Sequence, residues 1–351
     1  MADSLSDFVK DHERILVFGA GGGGDALGAL LVYFRVKELG GQPILGSVVW
    51  ERHPVDPYPG PIPLEVVINA EPLGWSSALV DGSSVALRYG REVRFQLARV
   101  LEALGEKGVF IDLTKGVYGV ASALRDVAEA LDVKGVIAVD TGGDILAVGC
   151  EDNLWSPLAD AVSLAGTVES GLPSLVTVLG PGADGELSQE LVLRYIAELA
   201  RRRALVEITG PARKDVEYIS GLIDKVYSEA SKIPIIAFQG EYGERRIRGG
   251  TRTVKVNPVS ATMYLLETSK VYEWSSQAQA VSNTRGIGQA KERLNQHCVV
   301  TELDLELELS RLRETGSQRS LSVDEIRREL RRRLMIRGCT AFECPINLSL
   351  P

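Results

Sequence analysis

Arg14-Ile-Leu-Val-Phe-Gly-Ala-Gly-Gly-Gly-Gly-Asp25 decides the reading of this chain. The four apolar residues Ile15 to Phe18 suit a strand buried on both faces. A glycine-packed turn, Gly19 to Gly24, follows at once, and Ala26 to Phe34 continues as an apolar helical segment. Strand, glycine turn and helix make the first half of a βαβ unit. The turn brings backbone amides to the start of a helix, where polar ligands are commonly held.

Working outward, the same alternation repeats. Pro43–Trp50, Val109–Asp112, Gly135–Asp140 and Ser174–Leu179 read as strands. Val93–Leu104, Tyr118–Leu131, Pro157–Val168 and Ser188–Arg203 read as helices between and after them. This alternation predicts an α/β fold of three layers with a mostly parallel sheet. Beyond it, 215–231 reads as helix and 233–238 as strand. Residues 253–256 read as strand, a short helix is expected from Asn257 to Glu267, and 270–274 is strand-like. No linker interrupts residues 1–300, which are taken as one ligand-binding domain. Residues 301–351 are taken as a C-terminal appendage. Thr301–Ser310 alternates apolar and acidic residues, a strand period that could add to a partner and make a dimer, although Leu and Glu also favour helix. Ser322-Val-Asp-Glu325 is a capping box that opens an Arg-rich helix to about Arg337.

Bulk composition excludes several classes. The net charge of −8 argues against a general nucleic-acid binder. No run of about 18 apolar residues is present, so no membrane span is expected. The acidic N-terminus lacks a signal-peptide core, and the expectation is a cytoplasmic protein. The 4 cysteines form no Cys-x-x-Cys pair, and with only 3 histidines a closed zinc site is not expected. Cys339 and Cys344 lie close enough to pair, but free thiols are the default in a reducing compartment.

Four strands end in loops of one chemical type: Gly21-Gly22-Gly23-Gly24-Asp25, Asp112-Leu-Thr114-Lys115-Gly116, Asp140-Thr141-Gly142-Gly143-Asp144, and Gly180-Pro-Gly182-Ala-Asp184-Gly-Glu186. In an open parallel sheet these ends share one edge, and ligands bind there. Asp140, Asp144, Asp184 and Lys115 are the candidate catalytic groups. The glycines, Asp25, Asp112, Thr114, Thr141 and Glu186 are candidate ligand-binding residues. Clustered carboxylates suit Mg²⁺ or another divalent cation, and Asp25, Asp144 and Asp184 are the candidate metal ligands. They equally suit acid–base work. Lys115 would neutralise an anionic group, and Arg52-His53 is a second cationic candidate. Trp155 and Tyr58 could stack on a ring. The bland alternative is that these residues turn the chain and cap helices.

Gly19-Ala-Gly21-Gly-Gly-Gly24 also fits the dinucleotide pattern Gly-x-Gly-x-x-Gly. Asp25 would repel a pyrophosphate, and Glu51 lies farther on than the usual ribose-binding acid.

Taken together, Gly19-Ala-Gly-Gly-Gly-Gly-Asp25-Ala-Leu-Gly28, Val139-Asp-Thr-Gly-Gly-Asp144-Ile-Leu146, Ser156-Pro157 with Asp160-Ala161, and Gly182-Ala-Asp-Gly-Glu-Leu187 resemble a mainly archaeal family known as a numbered domain of unknown function. The resemblance covers most of the chain, including Thr301-Glu-Leu-Asp304. It implies a Rossmann-like α/β protein and carries over no catalytic residue. The expected function is an enzyme acting on a small polar metabolite, namely a nucleotide, sugar or phosphorylated compound. The alternatives are a non-catalytic ligand sensor that signals by forming a homo-oligomer, and an NAD(P)-dependent oxidoreductase.

Overall fold

Alternate residues of the first strand serve two different cores. Ile15 and Val17 pack with the helices Asp25–Glu38 and Gln96–Leu104, whereas Leu16 and Phe18 pack with the helices Gly116–Leu131 and Pro157–Ser170. A strand buried on both faces needs no polar alternation, which is why Ile15 to Phe18 is apolar throughout. The computed structural model describes residues 3–52, 55–223, 225–314 and 322–345.

The main sheet has nine strands: β1 (Arg14–Gly19), β2 (Gln42–Val48), β3 (Glu71–Pro72), β4 (Ser77–Val80), β5 (Gly108–Ile111), β6 (Gly135–Thr141), β7 (Ser174–Leu179), β8 (Leu205–Thr209) and β9 (Met263–Glu267). Their order is β8-β9-β7-β6-β1-β2-β5-β4-β3. The five central strands, β7 to β5, are parallel. The two outer strands on each side join antiparallel. The sheet is therefore mixed around a parallel core, rather than mostly parallel to its edges. From β1 the chain runs outward through β2 and β5, then returns across β1 to β6 and β7. The order of strands reverses between β1 and β6, so a crevice opens between their C-terminal ends.

Four expected elements differ. Thr301–Ser310 lies in a helix, Glu302–Glu314. Thr301 and Asp304 cap it reciprocally: the Thr301 amide and hydroxyl donate to Asp304 Oδ2 at 2.9 and 2.8 Å, and the Asp304 amide donates back at 3.3 Å. That cap outweighs the period-two pattern. Leu303 and Leu305 are buried while Leu307 is half exposed, and a strand that would pair with a partner is not formed. The expected strand 233–238 lies in a helix, Glu229–Phe238, opened by Ser228, whose hydroxyl accepts the Ser231 amide. Its apolar run is continuous because the helix is buried nearly all round. The expected strand 270–274 is the helix Thr268–Trp274. The stretch expected as a helix up to Glu267 shortens to one turn, Pro258–Ala261, and then becomes β9.

The cysteines overturn the free-thiol expectation. Cys150 bonds to Cys344, and Cys298 to Cys339; Cys339 and Cys344 do not pair with each other. Both bonds end in the segment 339–344, where Phe342 also stacks on His297 at 4.0 Å. Disulfides persist in oxidising compartments or in hyperthermophile cells, and sit oddly with an ordinary cytoplasm. Among the described residues, no helix is long and apolar enough to cross a membrane.

Candidate acidic centre at the strand reversal

The turn after β1 delivers Asp25 to the head of a helix. Its Oδ2 accepts the Gly21 amide at 2.8 Å and its Oδ1 accepts the Thr141 amide at 3.3 Å. Asp140 closes β6, and Asp160 projects from the first turn of Pro157–Ser170. Oxygens of Asp25, Asp140 and Asp160 lie within 4.8 Å of one another. Gly21 is a glycine for a steric reason: a Cβ there would stand 2.7 Å from Asp25 Oδ2 and 3.0 Å from Asp160 Oδ1.

A second group adjoins the first. Asp144 starts the turn after β6, while Asp184 and Glu186 follow β7, and their oxygens also lie within 4.8 Å. The two loops are tied by the Gly182 amide, which donates to the Gly142 carbonyl at 2.7 Å. Gly142 has φ +128°, and a Cβ on it would meet Asp184 Cγ at 2.4 Å. A side-chain hydrogen bond between Asp140 and Asp144 links the groups. All six acids are buried, with none more than 8% exposed.

Burial and mutual repulsion set their ionisation. Burial first, then the charges of Asp25 and Asp184, raises Asp140 well above the ordinary carboxylate range. Burial and neighbouring acids do the same to Asp144 and Asp160. Burial and Glu186 push Asp184 up to about 7. Burial pushes Asp25 up to about 6, against the pull of its two amide donors. Glu186 moves the other way. Burial alone would raise it, but Arg248, the Ser156 hydroxyl, and the amides of Trp155 and Ser156 outweigh that. Arg248 donates to Glu186 Oε1 at 2.9 Å. Two oxygens, Asp160 Oδ1 and Asp184 Oδ2, are buried with no hydrogen-bond partner. The centre thus holds more negative charge than Arg248 can balance.

Of the residues singled out in the sequence, Asp25, Asp140, Asp144, Asp184 and Glu186 come together here. Gly21, Thr141, Gly142 and Gly182 support them through the amides and close approaches above. Gly143 (φ +106°) makes the turn into Asp144, with Val192 packed against its Cα. Gly22, Gly23 and Gly24 pack on other groups: Gly23 donates to the Trp50 carbonyl, and a Cβ on it would overlap Glu51. Lys115 pairs with Glu65 and Asp112 and lies over the Trp75 ring, with no link to the six acids. Asp112 accepts the amides of Leu64 and Thr114, a turn-capping role. Tyr58 packs on Tyr89, and Trp155 lies under Arg248 and Arg252. Arg52 pairs with Glu302 and Glu306. His53 lies outside the described residues.

The sequence assigns no site role to Asp160, Arg248, Ser156 or Glu302, although Ser156, Asp160 and Glu302 lie in the stretches that carry the family resemblance. Arg248 comes from a hairpin with no distinguishing motif. Glu302 is buried, and its carboxylate accepts the amides of Leu158 and Ala159 at 3.0 and 2.9 Å. It therefore caps the helix that carries Asp160, a long-range role that local pattern cannot reveal.

Glu51 gives a test of this electrostatic setting. It is buried, accepts the Gln96 amide at 2.8 Å, and burial pushes it up to about 7. The native state therefore binds its proton more tightly than the unfolded chain does. The stability it contributes is complete below about pH 4.5 and is lost as pH rises through about 7. Glu51→Gln should flatten the decline between pH 5 and 8, by on the order of 3 kcal/mol at the alkaline end. Urea unfolding of both proteins at pH 5 and pH 8 measures this, and parallel declines would refute the assignment.

Fold and site together define an α/β protein whose strand reversal carries a buried acidic centre. The family described as "Protein of unknown function (DUF1152)" matches residues 16–310, and the chain belongs to it. That span runs from β1 through Glu302. No curated protein and no solved structure gives a match.

Proposed function

We propose that this protein is a divalent-cation-dependent enzyme acting on a small polar metabolite at the C-terminal edge of a Rossmann-like, three-layer core. One observation carries the reading: two adjoining triads of buried carboxylates, each with an oxygen that no protein group satisfies. Buried charge without a partner is costly, and hard cations take all-oxygen sites of this kind. Oxygens on opposite sides of an ion at about 2.4 Å are roughly 4.8 Å apart, so the spread within each triad suits one ion. Asp25, Asp140 and Asp160 would hold one, and Asp144, Asp184 and Glu186 another. A cation there supplies charge stabilisation to an oxygen of the substrate and acidifies a bound water.

The chain's own groups supply the rest. Gly21 and Thr141 hold Asp25 in place through their amides. Ser156 has one proton for two acceptors, Glu186 Oε1 at 2.5 Å and Asp144 Oδ2 at 3.4 Å, so it orients Glu186. Arg248 keeps Glu186 ionised. Without a cation, burial and Glu186 hold Asp184 near 7, so a cation taken by its triad would displace a proton there. The Gly21 amide that a dinucleotide pyrophosphate would use is already taken by Asp25, which counts against the NAD(P) reading.

The enclosure of all six acids favours a second reading, in which a cation or ligand is bound without turnover. Thermal unfolding with Mn²⁺, Mg²⁺, Ca²⁺ or chelator tests the shared part. A saturating cation at 100 times its dissociation constant stabilises by about 2.7 kcal/mol. If none of the three raises the melting temperature, the cation centre is refuted. Turnover of a phosphate ester or nucleotide in the same conditions separates the enzyme from the sensor.

A further inference from the structure

Beside Glu186 the charge changes sign. Arg248 and Arg252 stand at the two ends of the turn that joins Gly243–Ile247 to Arg252–Val256, and Arg327 comes from the helix Val323–Ile336. Arg252 lies over the Trp155 ring at 4.0 Å and Arg248 at 5.6 Å. Arg327 reaches the same loop, donating to the Asp152 carbonyl at 2.8 Å. The charges of Arg248 and Glu186 act on Arg252, and those of Arg252 and Glu186 act on Arg327, so the three guanidiniums share one neighbourhood.

Few carboxylates answer them. Arg248 pairs with Glu186 at 2.9 Å, and Arg252 reaches only the exposed Asp324, at 3.7 Å. Arg327 is 9% exposed and makes no ion pair among the described residues. A buried cation without a counter-ion is costly, and burial pushes Arg327 down to about 10. Donors are left over as well. Arg252 Nε, Arg327 Nε and Trp155 Nε1 are buried without a hydrogen-bond partner, and Trp155 is also only 9% exposed. Three orphan donors around two under-paired guanidiniums lack an anion.

The cluster is open at one end. Arg248 uses Nη2 on Glu186 and Nε on the Asp184 carbonyl, and Arg252 uses Nη2 on the Asn153 carbonyl. The Nη1 of each makes no hydrogen bond among the described residues and keeps contact with solvent. The two side chains are 31% and 11% exposed, whereas that of Glu186 is fully covered. Arg248 is also firmly placed: its amide donates to Glu229 Oε2 at 2.6 Å, and its φ is +53°.

We infer that Arg248, Arg252 and Arg327 form the anion-binding side of the second carboxylate triad, and that the substrate brings a phosphate to it. The inference rests on the enzyme reading above and names its substrate class. Phosphate accepts from the open Nη1 ends of Arg248 and Arg252, while Arg327, deeper in the protein, supplies charge rather than contact. Because Arg248 also bonds Glu186, the phosphate lies next to the cation position of Asp144, Asp184 and Glu186. Several guanidiniums beside a cation favour a dianion with three terminal oxygens over a carboxylate.

The test is calorimetric titration of the whole protein in chelator with inorganic phosphate, and with acetate and chloride at matched ionic strength. Mn²⁺ is titrated separately. Phosphate should bind at one site per chain, and acetate and chloride far more weakly. Arg252→Gln with Arg327→Gln removes two charges and should weaken phosphate about tenfold or more, without weakening Mn²⁺. Arg248→Lys keeps a charge beside Glu186 but loses the planar fork, and should also weaken phosphate; it serves as the test if the double variant does not fold. Acetate bound as tightly as phosphate, or phosphate affinity unaltered in the folded variants, would overturn the subsite. Phosphate bound by a protein that ignores Mn²⁺, and lost in these variants, would uphold the subsite and remove the cation centre instead. Mn²⁺ bound without phosphate would do the reverse.

Discussion

The Asp160→Asn, Asp184→Asn double variant should melt higher than the parent in chelator at pH 8, and should no longer respond to Mn²⁺. Both outcomes follow from one arrangement. At pH 8 the metal-free parent must either ionise acids packed within 4.8 Å of each other or hold protons against the bulk. Asparagine has nearly the same shape and no charge. Removing one acid from each triad relieves repulsion that burial keeps from being screened. Relief of one or two such contacts is worth on the order of 1–3 kcal/mol. The same substitutions remove the two oxygens that have no protein partner, and with them the cation's ligands. Parent and variant should therefore cross: the variant is more stable in chelator, and the parent more stable in millimolar Mn²⁺. A variant that is weaker in chelator and still gains from Mn²⁺ would place the cation elsewhere.

Cutting both disulfides should cost more than any single side chain. Cys150–Cys344 spans 194 residues and Cys298–Cys339 spans 41. Chain entropy alone assigns the longer closure about 5 kcal/mol. The 339–344 segment makes few other anchoring contacts, chiefly Phe342 on His297 and the Thr340 amide to the Gln296 carbonyl at 2.9 Å. Guanidinium unfolding with and without a phosphine reductant measures the loss. Unfolding curves that superimpose would mean that the thiols are free, and would restore the reducing compartment that the sequence suggested.

The parallel core could be anticipated because three of its five strands, Ile15–Phe18, Val109–Ile111 and Val136–Val139, are continuous apolar runs closed by a glycine or an acid. The order of the strands, and with it the reversal, depends on long-range packing that local pattern does not carry. Local pattern misled where a segment is buried on every side. Ile233–Phe238 has a strand's composition but takes a helix's cap from Ser228, five residues before the run. Thr301–Ser310 has a strand's period, yet Thr301 and Asp304 already form the cap that starts its helix. Five of the six acids were visible because each ends a strand or lies in the turn just after one. Asp160 was hidden since its position depends on how Pro157–Ser170 docks on the sheet. Lys115 shows the opposite error. It sits on the same sheet edge as the acids, but three strands away from β6, where local partners engage it.

The carboxylate of Glu302 belongs, by its bonds, to a helix that starts at Pro157. A chain shortened to end at residue 300 would therefore be more than a domain without its tail. It would bare the amides of Leu158 and Ala159, and it would strip Arg52 of both its carboxylates, Glu302 and Glu306. Arg52 already acts through its charge on Asp25, so the appendage that holds it also sets the electrostatics of the acidic centre.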